Sequence, residues 1–115
     1  MDADDRQFLF TTAWLFARHG QQRRARALCE VLAEDDPKDG VAAAALAELL
    51  LADGEPAQAL SVLQEAVYPA ELRRAAALLE SRALTMLGRR DESERRWKRY
   101  VAASQGATRN WIAEE

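Results

Sequence analysis

The sequence is poor in the residues that build sheets, covalent staples and membrane spans. One cysteine, Cys29, stands among 115 residues, which excludes an intramolecular disulfide and any multi-cysteine metal site. Placed among Ala25, Leu28 and Leu32 on one helical face, it reads as a buried, inert thiol. Valine, isoleucine and threonine together fill ten positions, against 24 alanines and 15 leucines. Residues that favour pleated strands are therefore scarce, and an all-α chain is expected. No apolar run approaches the roughly 20 residues that cross a bilayer. The acidic start Met1 to Asp5 is unlike the basic opening of a secretory signal. These two features predict a cytoplasmic protein with no membrane insertion. The single histidine, His19, has no nucleophile near it in sequence, and neither a glycine-rich phosphate loop nor a metal-ligand spacing occurs. No enzyme activity and no cofactor are expected, and His19 is read as capping the C-terminal carbonyls of the first helix. A net charge of −3, from 16 basic and 19 acidic side chains, gives no general attraction to phosphate backbones, so nucleic acid is not an expected partner.

What is present is regular. A chain of 115 residues, 49% hydrophobic and 30% charged, is long enough for a single domain over 1–115 with one helical core. Gly20, Gly54 and Gly88 are 34 residues apart. Seven residues before each stand Ala13, Ala47 and Ser81, and five after stand Ala25, Ala59 and Ser93. All six are small, as the facing stripes of two closely packed antiparallel helices require. Four residues before each glycine come Phe16, Leu50 and Leu84, and nine after come Cys29, Leu63 and Trp97, the larger side chains of an interhelical core. The glycine between the two helices supplies a left-handed backbone that ends the first. Six helices are predicted, at about 6–18, 22–34, 40–52, 56–67, 71–87 and 90–103. Breaks fall at Asp35 to Gly40, at Asp53-Gly54-Glu55-Pro56 and at Tyr68-Pro69.

On these columns the chain resembles the tetratricopeptide repeat family, whose helix-turn-helix unit has this period. The repeats would run over about 6–39, 40–73 and 74–107. The consensus is partly kept: Pro37 holds the helix-ending position, whereas Glu71 and Gln105 replace it later, and Leu9 and Thr12 replace the usual tryptophan and leucine. The resemblance implies three tandem repeats in a short right-handed superhelix. A C-terminal capping segment at 108–115 would carry Trp111 and Ile112 as a short seventh helix over the open end. First helices of such repeats line a concave groove. The positions it projects there include Phe10, Trp14, Ala17 and Arg18 from the first helix, Ala44, Glu48 and Leu51 from the third, and Leu78, Arg82 and Met86 from the fifth. A mostly apolar lining suits an amphipathic helix or an extended apolar peptide, with Phe10 and Trp14 as anchors and Glu48 and Arg82 fixing register. The charge runs Arg23-Arg24-Arg26 and Arg95-Arg96-Trp97-Lys98-Arg99 fall on second helices beside Glu30, Glu34, Glu92 and Glu94. They read as a solvated convex back, with an acidic partner docking there as the alternative.

At this length the chain further resembles the small tetratricopeptide chaperones of bacterial type III secretion. The YscY type is similar at Arg6-Gln7, Trp14-Leu15, Gly20, Arg24-Ala25, Leu32, Pro37, Ser81-Arg82-Ala83, Gly88 and Tyr100. The YscG type, a needle-subunit co-chaperone, is similar over Tyr68-Pro69-Ala70-Glu71-Leu72 and at Ser104-Gln105. The resemblance implies a groove that keeps a helix of a small exported protein soluble, with a second small chaperone in the YscG case. A general scaffold module and a homodimer filling its own groove are the other readings.

Overall fold

The computed structural model describes the backbone of residues 1–113 and the side chains of residues 1–105. The described residues form six α-helices: α1 (Ala3–Arg18), α2 (Gln22–Asp35), α3 (Gly40–Ala52), α4 (Pro56–Glu65), α5 (Arg73–Met86) and α6 (Arg90–Ala113). A 3₁₀ turn at Ala70–Leu72 precedes α5, and no strand occurs among the described residues. None of these helices is long and apolar enough to cross a membrane.

Local chemistry sets the boundaries. The Asp2 carboxylate accepts from the Asp5 N–H at 2.8 Å, which starts α1 three residues before the predicted boundary. Asp39 caps α3 by accepting from the N–H groups of Val41 and Ala42 at 3.0 and 3.2 Å. Pro56 occupies the first turn of α4, where its missing N–H costs nothing. The three evenly spaced glycines have φ of +75°, +73° and +78°. Each closes its helix with the same two hydrogen bonds. Gln21, Glu55 and Arg89 donate to Phe16, Leu50 and Leu84 at 2.8 Å, while the glycine N–H groups reach Ala17, Leu51 and Thr85 at 3.0–3.3 Å. This is the Schellman closure. His19 contributes through its backbone N–H, which donates to Leu15 and Phe16. Its side chain is exposed and makes no hydrogen bond among the described residues, so the predicted imidazole cap is not formed there.

Each helix packs on the next, and α3 also touches α5. The small residues sit where the helices come closest: Ala25, Ala47 and Ala59 are fully buried, and Ala13 nearly so. In the last hairpin the pair is polar and the contact is explicit. Ser93 Oγ donates to the Ser81 carbonyl at 2.8 Å, Ser81 Oγ donates to the Ser93 carbonyl at 3.3 Å, and Thr85 Oγ1 bonds Ser93 Oγ at 3.0 Å. The core centres on α3, where Leu46, Ala47, Leu50 and Leu51 meet Cys29 of α2, Leu60 and Leu63 of α4, and Leu79 and Leu84 of α5. Trp97 holds the same place in the pattern as Cys29 and Leu63 but is only partly buried. It stacks on Tyr100 with ring centroids 5.3 Å apart.

A second close approach ties the connections together. Val67 N–H donates to the Lys38 carbonyl at 3.0 Å, and Asp39 and Val67 form an isolated bridge. A β-carbon at Gly40 would stand 2.5 Å from the Val67 carbonyl oxygen, so this position tolerates no side chain. At the C-terminal end, α6 continues through Gly106 to Ala113 as one helix. The predicted break before a seventh helix is therefore absent, and the side chains of Trp111 and Ile112, expected to cover the stack, lie outside those described.

Ala59→Leu places three extra carbons where α3 and α4 meet. It should lower the unfolding free energy by about 3 kcal/mol in urea titration. The same change at the neighbouring exposed Ala57 should cost under about 0.5 kcal/mol.

Candidate partner-binding groove

The long side of α1 is separated from α3 by a trough with α2 beneath it. One hollow of about 320 Å³ is lined by Phe10, Trp14 and Ala17 of α1, Gln22 and Cys29 of α2, and Ala45, Glu48, Leu49 and Ala52 of α3. A second, of about 340 Å³, is lined by Ala3, Arg6, Gln7 and Phe10 of α1 with Leu32, Asp39 and Val41. Phe10 borders both, and together the two hollows flank α1 from Ala3 to Ala17, about 20 Å at the helical rise.

Its walls follow from helical spacing. Phe10, Trp14 and Ala17 stand at i, i+4 and i+7 on α1, and Ala45, Leu49 and Ala52 repeat that spacing on α3. Trp14 is 51% exposed, with the Arg18 guanidinium 5.0 Å from its ring centroid. That pairing lets the long arginine cover part of the exposed indole. Burial pushes the Cys29 thiol up to about 11, with Glu30 adding to the effect. The floor therefore stays uncharged at neutral pH.

One end of the trough is closed by a hook of charge. Arg6 reaches from α1 to Asp35 Oδ2 and Asp39 Oδ2, each at 2.6 Å, and donates to the Leu32 carbonyl at 3.2 Å. Asp39 is thus both the cap of α3 and the anchor of α1. Partial burial alone would raise its carboxyl, but the Arg6 hydrogen bond, the N–H groups of Ala42 and Val41 and the nearby charge outweigh that and hold it below the ordinary value.

Of the residues projected onto the groove, Phe10, Trp14, Ala17 and Glu48 come together here, and Arg18 stands at the rim. Ala44 is half-buried on α3 and does not line either hollow. Leu78, Arg82 and Met86 form an exposed stripe at four-residue spacing along α5, outside the trough. Leu51 is a correction: it is 4% exposed and belongs to the core. Helix α3 is flanked on both sides, by α2 and α4 and by α5, so a leucine at this position is enclosed where its equivalents Ala17 and Thr85 are not. A signal for this existed, because Glu48 is the only charged residue in α3 and a helix apolar around its circumference belongs inside. Gln22 and Cys29 of α2 are trough residues that a groove read from first helices leaves out, while Ala45, Leu49 and Arg6 lie on first helices but outside the projected positions. Comparison with known proteins finds neither a family model nor a curated relative that matches the chain.

Two outcomes follow. Leu51→Asp should unfold the chain, or lower its stability by more than about 3 kcal/mol in circular-dichroism melts, because it puts a charge in the core. Asp39→Ala should cost about 2 kcal/mol at pH 7 through loss of the cap and the hook. Since the folded carboxyl lies below its ordinary value of 3.8, that stabilisation is complete above about pH 5. The gap between wild type and variant should close as the pH falls through the lower folded value in paired urea titrations.

Proposed function

We propose that this chain is a three-repeat tetratricopeptide-like module acting as a type III secretion chaperone, in which the trough between α1 and α3 holds an apolar or amphipathic helix of a small exported partner. The observation that carries the reading is the trough itself. It has mostly apolar walls about as long as a four-turn helix, a half-exposed tryptophan lining it, one carboxylate, Glu48, on the α3 side, and the Arg6–Asp39 pair at one end. A surface of that kind left bare exposes apolar area that water disfavours, and a helix laid along it would bury the Trp14 and Phe10 rings.

The repeat reading is supported by the glycine closures and buried small residues recurring at 34-residue intervals. The extents of 45 × 36 × 23 Å suit two layers of helices with an open face. The choice of a secretion chaperone rests on the residue similarities to the YscY type. Leu78 and Met86 on α5, with Arg82 between them, offer a second apolar strip for a longer partner segment.

The test is affinity capture of the tagged chain from its native host, comparing wild type with Trp14→Ala. The variant should melt within a few degrees of wild type, because half of Trp14 is already in water. It should recover at least about tenfold less of a single small helical partner, as expected for a desolvated aromatic anchor. Equal recovery by the two proteins, or a wild-type chain that sediments only as a homodimer and captures nothing, would remove the chaperone reading.

A further inference from the structure

A second hollow lies away from the trough, where α5 and α6 meet the Tyr68 connection. Its volume is about 190 Å³, and Tyr68, Arg73, Arg96, Arg99 and Tyr100 line it together with the methyl groups of two alanines. The five larger groups are not equivalent. Arg96 is satisfied: its Nε lies 2.6 Å from Glu80 Oε2, and Glu80 is 8% exposed. The Tyr68 hydroxyl is also used, since it donates to the Leu63 carbonyl at 2.7 Å. Its ring, and that of Tyr100 stacked on Trp97, form apolar walls. Arg73 and Arg99 are different. Both are exposed, and neither has a carboxylate or hydrogen-bond partner among the described residues.

The surroundings reinforce that imbalance. Residues 68–105 hold nine Arg and Lys against five Asp and Glu, whereas residues 1–67 hold six against twelve. The chain is thus electrically two-ended, basic around this hollow and acidic elsewhere. Two open guanidinium groups over apolar walls match a carboxylate attached to an apolar neighbour, the arrangement of an acidic peptide that also carries a leucine or an aromatic. A nucleic acid or other extended polyanion would have to lie near the acidic half as well, which repels it.

We infer that this hollow is a second docking site, taking an acidic and apolar peptide segment of a partner protein whose carboxylates pair with Arg73 and Arg99 while a side chain enters between Tyr68 and Tyr100. The site is independent of the trough, so one chain can hold an apolar helix on one face and an acidic segment on another.

The experiment is fluorescence polarisation at low salt with a fluorescein-labelled peptide, Ser-Glu-Glu-Leu-Phe-Asp-Glu-Ser, and its Gln/Asn counterpart. Saturable binding of the acidic peptide alone is expected, weakened about tenfold or more by the double change Arg73→Gln and Arg99→Gln. Removing equal charge nearby, by Arg74→Gln with Arg95→Gln, should change it less than about threefold. All four arginines are exposed, and unchanged circular dichroism checks that the variants fold. Trp14→Ala should leave peptide binding intact, so failure of the chaperone reading and failure of this one are distinguishable. The inference is overturned if the two double variants weaken binding equally, if inorganic phosphate displaces the peptide at equal charge concentration, or if no binding is seen up to about millimolar peptide. Sedimentation showing self-association that the Arg73/Arg99 variant abolishes would also overturn it, by making a second copy the occupant.

Discussion

The close approach of paired helices over single methyl or hydroxymethyl groups is the constraint on which the rest of this structure depends. It lets α1 lie on α2, α3 on α4 and α5 on α6, and in the last pair the backbones are near enough for a seryl hydroxyl to reach the opposing carbonyl. Because each hairpin is that tight, the larger side chains are displaced to either side of the contact, where they fill the space between successive hairpins. The trough is the complement of this packing. Along α1 the residues that turn toward α3 without meeting it are Phe10, Trp14 and Ala17, so the groove is what remains when the small-residue contacts have been made.

Much of the fold was legible in the sequence because backbone requirements leave few alternatives. A glycine at +75° and a small residue at a helix crossing are nearly obligatory, and both recur at fixed intervals that can be counted. The starts of α2, α3 and α4 and the end of α1 follow from that punctuation to within a residue. The candidate site was only half legible. Helical spacing picks out Phe10, Trp14 and Ala17, but it cannot say how far α1 stands from α3, and that distance decides whether Cys29 is a core residue alone or also the floor of a groove. Leu51 was misplaced because a repeat pattern treats the three hairpins as equals, whereas the middle one is enclosed on both sides. The Arg6 hook joins residues 29 and 33 positions apart, a pairing no local pattern encodes.

The charged faces of α2 and α6 are also less uniform than alternating signs suggest. Arg26 does more than offset Glu30 on its own helix. It reaches Asp53 and Glu55 at 2.8 and 2.7 Å, binding α2 to the turn between α3 and α4. Arg96 likewise holds Glu80 across α5 and α6. Arginines that look alike in sequence therefore divide into cross-braces and cations with no partner among the described residues. Only the second kind is available to another molecule.

The absence of a side chain at Gly40 has a mechanical consequence. There the start of α3 rests directly on the Val67 carbonyl at the end of the second hairpin. The same short stretch carries Asp39, which holds α1 through Arg6. Lys38, Asp39, Gly40 and Val67 thus join the first hairpin to both ends of the second at one place. The Tyr68 side chain lies against this same spot and also lines the basic hollow of α5 and α6, so the N-terminus of α3 stands between that hollow and the anchor of α1.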